Sequence, residues 1–248
     1  MKRLLILGGT GDAAELSTKV ANIPGIEAIA SLAGRTREPI LPSGNVRVGG
    51  FGGADGLAEY LRKMQIDVLI DATHPFASQI SENAAVAARE VGIPHLMLIR
   101  RPWEKQVGDR WMEVNSTSAA ADVLENQAKR VFLTVGRQEL AAFAHLQDIW
   151  FLMRMIDPPG ADALVPPGVI LCDRGPFTLA QEREILIQHH IDTIVSKNSG
   201  GNATYAKIIA ARELGVQVVM VKRPPVPPGE QVADVDAAVK WLKETVDR

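Results

Sequence analysis

The chain has 248 residues, with 27 Lys and Arg against 29 Asp and Glu; the formal net charge of −2 excludes the global basic field by which a protein holds nucleic acid. At 46% hydrophobic and 23% charged, it has the composition of ordinary soluble globular chains and suffices for one large domain or two compact ones. The single cysteine, Cys172, excludes an internal disulfide, a multi-cysteine zinc site and a cysteine-held iron–sulfur cluster, and the first apolar run, Leu4 to Leu7, falls far short of a signal-peptide core or the roughly 20 residues of a membrane span, so a cytoplasmic protein is expected.

The first predicted strand, Arg3 to Leu7, runs into Gly8-Gly9-Thr10-Gly11-Asp12-Ala13-Ala14 and straight on into a helix. Glycines there let the backbone turn sharply and approach a pyrophosphate, whose charge the free N–H groups of a helix start favour. The spacing, Gly-x-x-Gly-x-x-Ala, is a variant of the dinucleotide fingerprint; a simple glycine turn is the plainer alternative. The second strand, Glu27 to Leu32, ends in Ser31-Leu32-Ala33-Gly34-Arg35-Thr36, where an NAD site usually places an acid for the ribose hydroxyls. No acid is present. Arg35, with Ser31 and Thr36, suits a 2′-phosphate, so NADPH is expected rather than NADH, against the alternative of a surface arginine in a turn. A third strand, Val46 to Val48, precedes Gly49-Gly50-Phe51-Gly52-Gly53, which would let backbone such as Gly50 approach the adenosine or would form a flexible loop. The fourth, Ile66 to Ile70, leads into Asp71-Ala72-Thr73-His74-Pro75-Phe76-Ala77. Ligands of open α/β sheets gather at such strand ends, which puts Thr73 beside the nicotinamide and His74 in place to carry a proton, a purely structural histidine being the alternative.

A helix and a strand, Leu96 to Ile99, follow, then Arg101-Pro102 and a helix opening at Ser118-Ala119-Ala120. The second half repeats this plan. Ala87-Ala88-Arg89-Glu90-Val91-Gly92-Ile93 returns as Ala210-Ala211-Arg212-Glu213-Leu214-Gly215-Val216, an offset of 123 (210 − 87), and Ile66 to Ile70 returns as Ile191 to Val195, an offset of 125 (191 − 66). The repeated strand Val218 to Val221 is followed by Lys222-Arg223-Pro224 and by a terminal helix at Asp236-Ala237-Ala238. Earlier in this half, strands Val131 to Val135 and Val169 to Cys172 precede Gly136-Arg137-Gln138 and Asp173-Arg174-Gly175-Pro176-Phe177.

Continuous apolar strands alternating with helices argue for parallel sheets buried on both faces. The expected fold is therefore α/β, two Rossmann-like doubly wound parallel-sheet domains, 1–128 for NADPH and 129–248 for substrate, with an interdomain cleft. In the second half, Ser196-Lys197-Asn198-Ser199-Gly200-Gly201-Asn202 stands where the first half has its His74 loop. Small polar residues, glycines and Lys197 make an anion nest. With Arg137, Gln138, Arg174 and Arg223 at other strand ends, the second half suits a polyanionic small molecule, a solvated basic rim being the alternative. No Tyr-x-x-x-Lys, Gly-x-Ser-x-Gly, complete Walker loop or metal-ligand pairing is evident; His189-His190 reads as a solvated helix end.

Together, Gly8-Gly9-Thr10, Ser31 with Ala33-Gly34-Arg35-Thr36, Asp71-Ala72-Thr73-His74-Pro75-Phe76-Ala77, Arg101-Pro102-Trp103, Val135-Gly136-Arg137-Gln138-Glu139-Leu140, Arg174-Gly175-Pro176-Phe177 and Lys197-Asn198-Ser199-Gly200-Gly201 resemble the precorrin-6A reductase and cobalt-precorrin-6A reductase family of cobalamin biosynthesis. The resemblance spans nearly the whole chain. It implies NADPH-dependent reduction of one ring double bond of a carboxylate-rich corrin precursor, with the active site between two Rossmann-like lobes. The pattern departs at Asp12 and Ala14, where the family often carries Glu and Arg. On this view Gly8, Gly9, Thr10, Gly11, Asp12, Ser31, Gly34, Arg35, Thr36, Gly50 and Thr73 bind the cofactor, and Arg137, Gln138, Arg174, Asn198, Ser199, Gly200, Gly201 and Arg223 bind the substrate. His74 and Lys197 polarise or protonate it. No metal, nucleic acid or membrane partner is expected, and a monomer is. The competing readings are a two-lobed NADPH and anion sensor without chemistry, and a nucleotide-sugar-type transferase.

Overall fold

The apolar runs form two sheets of six strands, every pairing parallel. The computed structural model describes residues 1–34, 44–125 and 127–246; Arg35 and Thr36 lie outside the described residues. The first half contains β1 (Lys2–Leu7), α1 (Gly11–Val20), β2 (Ile26–Leu32), β3 (Asn45–Val48), α2 (Ala54–Lys63), β4 (Val68–Asp71), α3 (Ser78–Val91), β5 (His95–Leu98), β6 (Trp111–Val114) and α4 (Thr117–Leu124). Then come β7 (Arg130–Thr134), a 3-10 helix (Arg137–Phe143), β8 (Trp150–Met155), β9 (Gly168–Cys172), α5 (Leu179–Gln188), β10 (Thr193–Lys197), α6 (Ala206–Leu214), β11 (Gln217–Val221), β12 (Glu230–Val232) and α7 (Val235–Val246).

The strand orders are β12-β5-β4-β1-β2-β3 and β6-β11-β10-β7-β8-β9. The first is the doubly wound order 3-2-1-4-5-6, and the second has the same spatial arrangement with β6, which precedes β7 in the chain, in the sixth place; the switch points lie between β1 and β4 and between β7 and β10. The sixth strand of each, however, comes from the other half of the sequence. The compact units are accordingly Met1–Arg101 with Pro224–Arg248, and Pro102–Arg223. This differs from the expected division at residues 128 and 129, and the reason is pairing. β6 lies along β11 and β12 along β5, so each strand and helix that closes a half belongs to the other half's sheet.

Alternation along β1 explains its uninterrupted apolar run. Leu4 and Ile6 pack with Leu16 and Val20 of α1 and with Ala238 and Leu242 of α7. Leu5 and Leu7, on the opposite face, pack with Leu57 and Leu61 of α2 and with Ala84, Ala87 and Ala88 of α3. Each fully buried leucine contributes about 1.5–3 kcal/mol relative to an exposed one. In the second unit Phe132, Leu152, Ile194 and Met220 form the equivalent layer with Leu186 of α5 and Ile208 of α6.

The repeated heptapeptide owes its glycine to helix termination. Gly92 ends α3 at φ +77° and Gly215 ends α6 at φ +68°, left-handed conformations that cost an L-residue roughly 1–2 kcal/mol. Just beyond Gly92, His95 is partly buried; that burial lowers its imidazole pKa, opposed by the Asp71 charge. Among the described residues, no helix is long and apolar enough to cross a membrane.

Candidate functional site

In the first unit the predicted cofactor residues within the described segments lie beyond the C-terminal ends of β1 to β4, except Ser31, which is the penultimate residue of β2. Gly8 donates its N–H to Ser31 O (2.9 Å), and a Cβ on Gly8 would sit 3.3 Å from Ala13 Cβ, so the loop packs closely on the helix it opens. Gly9 has φ +108°, and a Cβ there would meet nothing within 4 Å. Its backbone borders open space, which fits the approach of a pyrophosphate to the α1 N-terminus. Thr10 is the N-cap: its Oγ1 accepts from Ala13 N–H (3.1 Å) and donates to Ala72 O (2.8 Å), joining the loop to the end of β4.

Thr10→Ala removes both bonds. A loss of about 1 kcal/mol is expected, seen as a fall in Tm of roughly 2–4 °C that Thr10→Ser largely avoids. An unchanged melting curve for the alanine variant would show that the cap contributes nothing.

Two arginines unmarked in the sequence reading complete this region. Arg100, just after β5, donates to Asp12 Oδ2 (2.8 Å), bringing a guanidinium to the first turn of α1. Arg47 at the end of β3 donates to Ser31 Oγ (3.2 Å), Gly49 O (2.6 Å) and Gly50 O (2.6 Å), and its guanidinium lies 3.7 Å from the Phe51 ring centroid. It braces the second glycine loop against β2. Gly34, at φ +72°, leaves a Cβ position only 3.1 Å from Val48 Cγ1.

At the end of β4, Asp71 is buried and its Oδ1 accepts from both the N–H (3.0 Å) and the hydroxyl (2.6 Å) of Thr73. His74 Nδ1 accepts from Phe76 N–H (3.3 Å), so the neutral ring carries its proton on Nε2. Thr73 and His74 line a pocket together with Ile99 and with Pro225, Val226 and Pro227, the last three reaching the first unit because the chain returns there after β11.

In the second unit the predicted residues lie at or beyond strand ends. Lys197, the last residue of β10, donates to Glu139 Oε1 (2.6 Å), while Thr117 donates to Glu139 Oε2 (2.7 Å). Partial burial alone would raise the Glu139 carboxyl; the hydrogen bonds from Lys197 and Thr117 and the Lys197 charge outweigh it and hold the group below the usual carboxylate range. Gly200 and Gly201 have φ +67° and +71°, and Ser199 N–H donates to Lys197 O (2.7 Å), giving the tight turn of a nest.

Two predicted donors are engaged by the protein itself. Asn198 is buried, with Oδ1 accepting from Trp103 N–H (2.8 Å) and Nδ2 donating to Trp103 O (2.9 Å). Arg223 donates to the carbonyls of Asn198 (2.8 Å) and Ser199 (3.0 Å), so both residues shape the nest. Arg137 opens the 3-10 helix and donates to Pro158 O (3.3 Å); Gln138 beside it is exposed. Arg174 follows β9, its N–H donating to Asp173 Oδ1 (2.7 Å).

Two doubly wound parallel sheets, one with a glycine loop capping a helix at its switch point and the other with a cationic glycine turn, define a duplicated Rossmann-type α/β protein. The sequence matches the family model described as precorrin-6x reductase CbiJ/CobK over residues 3–243. It is 51% identical over 243 residues to a precorrin-6A reductase of Rhodococcus erythropolis, covering 98% of each chain. It is 41% identical over 244 residues to one of Rhodobacter capsulatus, covering 98% of this chain and 97% of that one. Against a cobalt-precorrin-6A reductase of Priestia megaterium the identity is 28% over 252 residues, 96% of this chain and 97% of that one. A solved CobK precorrin-6A reductase superposes with a TM-score of 0.93 at 40% identity, over 99% of this chain and 97% of that one. The chain belongs to the precorrin-6x reductase CbiJ/CobK family, reductases of cobalamin biosynthesis, and is an oxidoreductase.

Proposed function

We propose that this chain is a cytoplasmic NADPH-dependent reductase that converts precorrin-6A to its 6B form, the first unit holding the cofactor and the second the substrate's carboxylates. The observation that carries the reading is the contrast between two equivalent switch points. One offers a helix N-terminus beneath open glycine backbone; the other offers Lys197 and a left-handed glycine turn. When bound, NADPH would supply a hydride to one carbon of a ring double bond, and a proton must reach the other. His74, through Nε2, and Lys197 are the groups assigned to polarise the acceptor and deliver that proton. Arg137, Arg174 and the Ser199 to Gly201 turn orient the carboxylates.

The higher identity to precorrin-6A reductases, 51% and 41%, than to the cobalt-precorrin-6A reductase, 28%, supports a cobalt-free substrate. Membership in a reductase family also favours catalysis over a sensor role.

The test has two parts. Adding precorrin-6A to protein with NADPH should extinguish nicotinamide fluorescence stoichiometrically; binding without oxidation would favour a sensor. Titration should give NADPH a preference over NADH of at least about tenfold, which Arg35→Ala removes. Equal affinities insensitive to Arg35→Ala would eliminate the 2′-phosphate assignment.

A further inference from the structure

The second unit carries a charged cluster inside its core that the reaction does not use directly. Arg154 of β8 donates from Nη2 to Glu182 Oε1 of α5 (2.8 Å), with side chains 4% and 0% exposed. Lys207 of α6 is buried beside them. Arg154 Nη1 and Glu182 Oε2 have no hydrogen-bond partner, so the pair is incompletely satisfied at full burial. Such a pair is often no more stabilising than apolar residues of the same volume, which directs attention to what its geometry holds in place.

The Arg154 guanidinium and the Lys207 amine each face an aromatic ring that anchors one of the anion-binding loops. The Arg154 guanidinium lies 3.6 Å from the Phe177 ring centroid; Phe177 ends the loop bearing Arg174 and donates its N–H to Ala203 O (3.2 Å). Lys207 Nζ lies 5.2 Å from the Trp103 ring centroid. Trp103 holds the other loop at three points, through both hydrogen bonds to the Asn198 amide and through Nε1 to Gly201 O (2.7 Å). A guanidinium stacked on a ring, as Arg154 is on Phe177, is held directionally as well as attractively.

We propose that Arg154, Glu182 and Lys207 are positioning residues, a buried cluster that sets the spacing of Arg174 on one loop against Lys197 and the Ser199 to Gly201 turn on the other, and so fixes which arrangement of substrate carboxylates is accepted. The inference rests on reading the second unit as the carboxylate-binding one.

The test replaces the pair by apolar residues, Arg154→Met with Glu182→Leu, and separately Lys207→Met and Arg154→Lys. The double variant should keep its Tm while KM for precorrin-6A rises about tenfold or more, with KM for NADPH and kcat within about threefold. Arg154→Lys should fall between, having charge without a planar stack. A folded double variant with unchanged substrate KM overturns the proposal; should that variant not fold, an unchanged substrate KM for Lys207→Met overturns it equally. Quenching of tryptophan fluorescence by uroporphyrin, a carboxylate-rich tetrapyrrole, supplies a readout without turnover. Wild type that binds uroporphyrin but fails to reduce precorrin-6A would refute the assigned reaction, while weakened binding by the variants would still support positioning. Wild type that neither binds nor reduces would refute both.

Discussion

Lys197→Met is expected to lower single-turnover reduction of precorrin-6A by about two orders of magnitude or more, the range for losing a general acid or an electrostatic partner at a reacting centre. NADPH affinity should change little, because Lys197 belongs to the second unit and the glycine loop to the first. The substitution also strands Glu139, which would keep only the Thr117 hydrogen bond while half-buried. A carboxylate without its cation there should destabilise the fold by about 1–3 kcal/mol, and its pKa should rise because burial is then opposed only by the Thr117 hydrogen bond. The double variant Lys197→Met, Glu139→Gln separates the two effects. It should recover stability without recovering turnover. If turnover returns with stability, Lys197 acts only as the partner of Glu139 and its place in the chemistry is refuted.

The second large effect concerns pH. Burial, reinforced by the Arg154 charge and opposed by Glu182, lowers the Lys207 amine from 10.5 to about 7. Between about pH 7 and 10.5 the unfolded chain therefore holds a proton that the folded chain lacks, and unfolding free energy rises with pH across that window. Below pH 7 both states are protonated and the penalty of a dry ammonium is fully present. From pH 7 to 10 the gain relative to Lys207→Met, which cannot titrate, should approach about 4 kcal/mol. Urea unfolding of the two proteins at several pH values measures it. A constant difference across the window would mean that Lys207 remains charged in the fold.

How legible this was beforehand depended on what kind of interaction decided each element. The repeat at 123 residues foretold two like sheets because apolar period and helix-stopping glycines, Gly92 and Gly215, are local. It could not foretell that β6 and β12 exchange sheets, since strands of four and three residues carry no mark of their neighbour. β8 escaped notice for another reason: Trp150-Phe151-Leu152-Met153-Arg154-Met155 lacks β-branched residues and contains an arginine, and only the buried Glu182 makes that arginine tolerable in a core strand.

In the sites, the glycine loop and the nest were legible because positive φ demands glycine or a close substitute. The aim of long side chains was not. Asn198 and Arg223 face the protein's own backbone, and Arg47 in β3 and Arg100 just after β5 reach the first site from positions that no motif marked.

The exchange of closing strands also bears on biosynthesis. During synthesis, domains generally complete in the order their sequences emerge. Here the sheet begun by β1 still lacks β12 and α7 when β11 leaves the ribosome, whereas the sheet built from β6 to β11 is by then complete. The unit started first finishes last, and until then β5 waits with an unpaired edge. A chain truncated after Arg223 should accordingly present a protease-resistant core from the second unit alone.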